Sequence, residues 1–244
     1  MISVITITFN ASETLPMTME SVAEQTFQDF EHIIVDGAST DDTIVLARNM
    51  GRPGLRIISE PDDGLYDAMN KGLKTARGRY LIFLNSGDRF HAADTLKAYA
   101  DAIAERNPDI IYGDTDIVDI EGKRIGPRHL SAPEMLTFDS FSNGMLICHQ
   151  AFMVRKDIAP LYDTDYRFSA DYDWCIRCIK ASRAGDRVNL HMVTIDYLAD
   201  GLTDKHKKAS LVERFKIMAA HYGSMKAIAA HLSFIPRVIK RGKL

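Results

Sequence analysis

No stretch of the 244 residues approaches the roughly 20 consecutive apolar residues that a membrane-spanning helix needs. Cysteine is scarce and odd in number, three in all, which argues against a disulfide framework and fits a reducing cytoplasm. Met1-Ile2-Ser3-Val4 enters a strand-like segment with no basic n-region, so no secretory signal is expected. Internal repeats and low-complexity segments are missing. No G-x-G-x-x-G follows the first strand-like segment and no G-x-x-x-x-G-K-[ST] occurs, which gives a dinucleotide-binding Rossmann site little support and excludes a P-loop. What is present is an apolar fraction of 46%, enough for a substantial core in one large domain or one domain with an appendage.

Charge is uneven. From Lys205 onward ten Lys/Arg face one acidic residue, Glu213, a net of +9; the whole chain carries −3, so the first 204 residues carry −12. An acidic body with a basic tail is not the footprint of a nucleic-acid binder. It suits a metal-using body whose tail meets an anionic surface.

Strand and helix patterns alternate over the first 90 residues. Ser3–Thr8, His32–Val35, Leu55–Ser59 and Arg79–Leu84 read as strands. The intervening segments 15–24, 39–48 and 64–76 read as helices, with Leu15, Met19 and Val22, then Tyr66, Met69, Asn70 and Leu73, at helical spacing. This order predicts an α/β fold with a parallel sheet and right-handed crossovers. Beyond it, a helix is expected over 95–106, a strand pair at Ile110–Tyr112 and Ile117–Asp119 with a turn at Glu121-Gly122, and loop over 127–144. A strand at 145–155, a helix at 171–184 and a strand at 188–197 follow, then helices at 210–222 and 225–240, the second interrupted near Pro236. The expected division is a body over 1–204, itself a nucleotide-binding half (1–90) and an acceptor half (91–204), and a basic helical tail over 205–244.

Acidic groups stand where three of these strands stop: Asp36, the pair Asp62-Asp63, and Asp88 after Leu84-Asn85-Ser86-Gly87. Singly, each reads as a turn or cap residue. Delivered by successive parallel strands, they face one crevice at the carboxyl edge of the sheet, where ligands of open α/β folds bind. A carboxylate held there can bind a divalent cation.

Four segments carry a family resemblance: Ile5-Thr6-Ile7-Thr8-Phe9-Asn10, Ile33 through Asp41, Glu60 through Gly72, and Leu84-Asn85-Ser86-Gly87-Asp88. In this order and spacing they resemble the family 2 glycosyltransferases of bacterial polysaccharide biosynthesis, closely over residues 2–90 and more loosely to about residue 205. The resemblance implies a GT-A (nucleotide-diphospho-sugar transferase) fold and transfer of a sugar, with inversion, from a nucleotide-diphosphate donor, expected to be a UDP-hexose. A hydroxyl of a saccharide or lipid-linked saccharide would be the acceptor. It assigns the nucleoside to Thr8 and Asn10, the base to Asp36, and the ribose and diphosphate to the surroundings of Asp63 and Lys71. Mg²⁺ or Mn²⁺ would fall to Asp88. The family's metal motif has two carboxylates; here Asn85 and Gly87 stand near the surviving Asp88.

An inverting transfer also needs a general base on the face opposite the leaving nucleotide. Asp171, opening a helix and similar to the Asp of the family's Glu-Asp segment, is the candidate, with Ala170 in place of the Glu, Asp173 as rival, and an N-cap as the plain alternative. His149 and Gln150 resemble His-Gln pairs on the family's acceptor side. Trp174 is read as a sugar-stacking surface or as core, Cys175-Ile176-Arg177-Cys178 as packing, and His206 as a residue near the diphosphate or metal. The tail alternates Leu232, Phe234, Ile235, Val238 and Ile239 with Arg237, Lys240, Arg241 and Lys243, which suits contact with an anionic membrane surface on the inner, cytoplasmic side. Two rivals stand beside this reading. One is a nucleotidyltransferase, which would want a Gly-rich, basic first loop where Thr8-Phe9-Asn10-Ala11 stands. The other is a catalytically silent sugar-nucleotide-binding subunit.

Overall fold

The computed structural model describes residues 1–199 and 207–239, the side chains of 207 and 233–239 excepted. The described residues form one mixed sheet of nine strands. Strands β1 (Ile2–Thr8), β2 (Phe30–Asp36), β3 (Arg56–Ser59) and β4 (Tyr80–Phe83) run parallel, with β1 between β2 and β4 and β3 outside β2. Helices α1 (Leu15–Ala23), α2 (Thr43–Met50) and α3 (Leu65–Thr75) are the crossovers. Every residue of β1 and β4 is buried, as expected for near-continuous apolar strands covered on both faces. Helix α3 turns Tyr66, Met69 and Leu73 inward and lies close against β1, because Gly72 has no Cβ; one built there would meet Ile5 Cγ2 at 2.6 Å. That close approach sets the start of α3, and with it Tyr66, at the carboxyl edge of the sheet.

The second half extends the sheet past β4. β5 (Arg89–Phe90) precedes α4 (Thr95–Arg106); then come β6 (Ile110–Val118), β7 (Arg124–Pro127), β8 (Phe152–Arg155), α5 (Ala170–Ala181) and β9 (Arg187–Leu198). β8 is antiparallel to both β4 and β6, whereas β6 and β9 are parallel.

Several sequence expectations change here. The strand pair at 110–119 is one strand, because its two central aspartates are satisfied in place: Asp114 accepts from Ala132 N at 2.8 Å, and Asp116 is paired with Arg124. The turn at Glu121-Gly122 leads instead to β7. The strand expected from Met145 begins only at Phe152, since His149–Ala151 forms a 3-10 turn, and another 3-10 turn, Phe138–Asn143, lies in the expected loop.

Helices α6 (Lys207–Tyr222) and α7 (Ser224–Ile239) are the last described elements, and α7 runs on through Pro236. Proline removes one N–H there and forfeits one hydrogen bond, but close to the helix end little chain remains to be redirected. The C-terminal segment is not set apart as a tail. Ile217, Met218 and Ala227 lie in the same core cluster as β1 and β4, and His221 reaches Asp173 of α5.

Candidate active site

The loops after β1 and β2 are laced together. Asn10 N donates to Ser39 Oγ at 2.8 Å and Asn10 Oδ1 accepts from Thr40 N at 2.9 Å, while Ala11 N and Ser12 N donate to Thr43 Oγ1 and Asp41 Oδ2. Asp36 lies beneath this lattice, fully buried. Its Oδ1 accepts from the hydroxyls of Thr8 (3.0 Å) and Ser39, and its Oδ2 from Ser39 N (2.9 Å) and the Ser59 hydroxyl (2.7 Å). Four donors occupy this carboxylate, so in this conformation it fastens three loops and does not reach outward to a base. Thr8 is spent on the same bond; Asn10 remains exposed at the crevice.

In the β3–α3 turn, Asp63 is exposed and its N–H donates to Asp67 Oδ2. Lys71 Nζ donates to Pro61 O and pairs with Glu60 (3.1 Å) and Asp67 (3.5 Å), so it clasps its own loop and is not held toward a diphosphate.

Asp88 is the opposite of Asp36. It is 4% exposed, with Oδ1 accepting from Leu198 N (3.0 Å) and Oδ2 from Gln150 Nε2 (2.8 Å), and no cation pairs with it among the described residues. Burial pushes its carboxyl up to about 7, against the opposing pull of those two donors. The turn before it explains why a second carboxylate is missing. Gly87 sits at φ +96°, and a Cβ there would meet Leu198 Cδ2 at 2.6 Å, so glycine fits where an acidic side chain would collide. Asn85 Oδ1, in the same turn, is a buried acceptor with no donor among the described residues. A buried carboxylate without a cation and an unpaired amide oxygen are hard oxygen ligands of the type Mg²⁺ and Mn²⁺ take, and they fit such an ion.

A second carboxylate group, Asp116 and Asp196 with His91, also has ligand atoms within 4.8 Å of one another. Arg124 pairs with Asp116, and both Arg89 (2.8 Å) and His91 (2.7 Å) pair with Asp196. With its charge already balanced, this cluster reads as a lock between β5, β6 and β9.

Asp171 lies in the first turn of α5; the N-cap position falls to Ser169, so capping does not account for it. Asp171 Oδ1 accepts from Tyr172 N (2.9 Å) and from the hydroxyl of Tyr66 (3.1 Å), and among the described residues Oδ2 takes no hydrogen bond. Tyr66 is held protonated, its phenol raised well above the ordinary range by burial and then by the Asp171 charge, so it is a dependable donor. The rival Asp173 is buried and committed to Arg177 (2.6 Å) and His221 (2.7 Å), which removes it from base duty. Trp174 is wholly buried; it donates to Pro160 O and stacks on Tyr162 at 4.9 Å, so it is core and not a sugar platform.

The segment Cys148–Gln150 lies close to both Asp88 and Asp171. The Cys148 thiol, pushed up to about 11 chiefly by burial, feels the charges of both Asp88 and Asp171. His149 is buried, lowered to about 4 and therefore neutral near pH 7, with Nε2 hydrogen-bonded to the Tyr162 hydroxyl. Gln150 orients Asp88, a role different from the expected acceptor contact. Cys175 and Cys178 are buried and free, and burial holds both thiols protonated. His206 lies outside the described residues. Sequence reasoning missed Tyr66 as a partner of Asp171: it was visible only as one residue of helical spacing within the Gly64–Gly72 segment.

The model of the family described as glycosyl transferase family 2 matches residues 3–160. One relative, the "PGL/p-HBAD biosynthesis glycosyltransferase" of Mycobacterium bovis, is 36% identical over 219 residues, covering 84% of this chain and 81% of its own. The putative teichuronic acid biosynthesis glycosyltransferase TuaG of Bacillus subtilis is 25% identical, over 99% of this chain and 97% of its own. Among solved structures, S. aureus TarS with UDP-GlcNAc superposes at TM-score 0.72 with 18% identity, covering 96% of this chain and 73% of that one. A mannosyltransferase from Pyrobaculum calidifontis with GDP-Man and Mn²⁺ superposes at 0.63 with 15% identity, covering 96% and 75%. The fold is therefore GT-A, and the chain belongs to glycosyl transferase family 2.

Proposed function

We propose that this protein transfers a hexose, with inversion, from a nucleotide-diphosphate donor, a UDP-sugar, to a hydroxyl of a saccharide or lipid-linked acceptor in bacterial cell-wall or glycan biosynthesis. The observation that carries the reading is the convergence of two unlike carboxylates, Asp88 and Asp171, on the Cys148–Gln150 segment. The names of the mycobacterial, TuaG and TarS proteins support the pathway type and the donor class.

The nucleoside lies against the exposed loop at Asn10, whose shape Asp36 and Thr8 maintain, and Asp63 lies toward the ribose. Asp88 with Asn85 would hold Mg²⁺ or Mn²⁺, which neutralises charge on the leaving diphosphate. Gln150 and Leu198 N fix the Asp88 carboxylate. Asp171, steadied by Tyr66, takes the proton from the acceptor hydroxyl through its unoccupied Oδ2. The acceptor oxygen bonds to the anomeric carbon as the bond to the diphosphate breaks, and the nucleoside diphosphate departs from the opposite face. Asp171→Asn should lower turnover by roughly 10²–10⁴-fold with donor affinity retained, measured by steady-state kinetics and calorimetry. Full activity in a normally folded variant overturns the base assignment. Donor binding with neither transfer nor slow hydrolysis would favour a silent sugar-nucleotide-binding subunit, a reading that Asn85 and Gly87 at the metal turn suit.

The C-terminal helices support membrane-surface contact. Met225, Ile228 and Leu232 repeat at i, i+3, i+7 along α7 and are 82%, 44% and 61% exposed, with the basic residues of 237–243 following in sequence. Among the described residues no helix is long and apolar enough to cross a membrane. A truncation ending near residue 230 should lose partition onto anionic liposomes; undiminished partition overturns the contact.

A further inference from the structure

A cleft of about 240 Å³ opens between the β3–α3 turn and residues 164–168. Its walls are mostly apolar: Leu65 and Tyr66 on one side, Tyr166 and Phe168 on the other. We infer that this cleft receives a flat or short apolar group carried by the acceptor, adjoining the hydroxyl that Asp171 deprotonates. The inference deepens the glycosyltransferase reading above and rests on its assignment of Asp171.

Position is the first argument. Tyr66 lines the cleft and donates to Asp171 Oδ1, so the cleft is one side chain away from the base. An occupant is therefore a neighbour of the incoming nucleophile.

Charge is the second. Asp63 and Asp67 line the cleft beside Arg167, and Lys71 pairs with Asp67, so the lining is balanced and offers no excess of cations to draw a diphosphate. The donor's anionic part belongs with Asp88, leaving the acceptor as the occupant.

Shape is the third. The volume is below the roughly 300–1,000 Å³ of drug-sized sites, which suits one aromatic ring or a short alkyl chain. Both walls are fixed in advance. Tyr66 stacks on Tyr162 at 5.7 Å, and Tyr162 exchanges two hydrogen bonds with Asn70, its N–H to Oδ1 (2.7 Å) and its carbonyl from Nδ2 (3.1 Å). Across the cleft, Glu213 accepts from Arg167 N (2.9 Å) and Phe168 N (2.8 Å). A preformed apolar slot loses little ordering entropy when a rigid group enters.

Saturation-transfer NMR on the full chain tests this with two probes at equal concentration, 4-nitrophenyl β-D-glucopyranoside and methyl β-D-glucopyranoside. The nitrophenyl protons should be the most strongly saturated, and the methyl glucoside weaker by about fivefold. Tyr166→Ala, and independently Leu65→Asn at the first turn of α3, should each cut the nitrophenyl signal about threefold while the variant stays folded and UDP affinity stays at the wild-type value. Equal saturation of the two glucosides, or an undiminished nitrophenyl signal in a folded variant, overturns the inference. UDP calorimetry with Mn²⁺ runs in parallel: failure of wild type to bind UDP counts against the donor reading, whereas the aryl contrast judges the cleft alone.

Discussion

Asp36 ends β2 and Asp88 closes the turn that follows β4, the two strands that flank β1; both are buried, yet their surroundings are opposites. Asp36 takes four hydrogen bonds from Thr8, Ser39 and Ser59. Asp88 takes two, and its carboxyl is pushed up to about 7. A carboxylate whose oxygens are all taken by neutral donors serves as a fastener. One that is buried and under-supplied is unstable as an anion until a cation arrives. Position at a strand end therefore does not decide whether an aspartate is structural or functional; the number of donors around it does.

Predictions that break or sharpen this contrast run from large to small. Asp88→Ala should weaken Mn²⁺-dependent UDP-sugar binding by about 100-fold or more, read by calorimetry, with little loss of melting temperature because an unfavourable buried charge is removed. Asp36→Ala should do the reverse: a loss of about 3 kcal/mol, lowering the melting temperature by roughly 5–10 °C, as three hydroxyls and an N–H lose their acceptor. A strong loss of UDP affinity with an unchanged melting temperature would instead make Asp36 a base contact and collapse the contrast.

The third test is pH. The folded pKa of Asp88 lies above its unfolded value, so the folded state binds its proton more tightly. The stability this supplies is present in acid and is lost as pH rises from about 4 to about 7, by up to about 4 kcal/mol. Between pH 5 and 8 without metal, Asp88→Asn should lose less stability than wild type in matched denaturant titrations, and Mn²⁺ should narrow the gap. An identical pH slope in both proteins would remove the uncompensated charge from the account. The smallest effect is expected at Lys71: Lys71→Met should change the donor KM by less than about threefold, since exposed ion pairs of this kind are worth little. A tenfold rise would return Lys71 to the diphosphate.

The legibility of the chain divides along the same lines. β1 to β4 and α1 to α3 could be read because their signals are local: apolar runs, helical spacing at Leu15, Met19 and Val22, and turns at the strand ends. The helix start at which Asp171 stands could be read because its signal is also local. The fates of Asp36 and Asp88 could not, since their partners come from elsewhere: Gln150 and Leu198 lie 62 and 110 residues from Asp88, and Ser59 lies 23 from Asp36. Trp174 was ambiguous because a lone aromatic carries no sign of whether its face is covered; Phe83, Phe152 and Tyr162 cover it. Lys71 was misplaced because its spacing from Glu60 crosses a turn whose direction the sequence does not state.

The grip of Glu213 on the backbone of Arg167 and Phe168 has a consequence for the order of events at the ribosome. The nucleotide-binding strands emerge first and can collapse on one another through short crossovers. The wall facing Leu65 and Tyr66 lacks these two acceptor contacts until α6 has been made, some 120 residues after β4 is complete. A nascent chain can thus lace the loops around Asp36 early, whereas the Asp88 turn, which waits for Gln150 and Leu198, and the wall held by Glu213 are both finished late in synthesis.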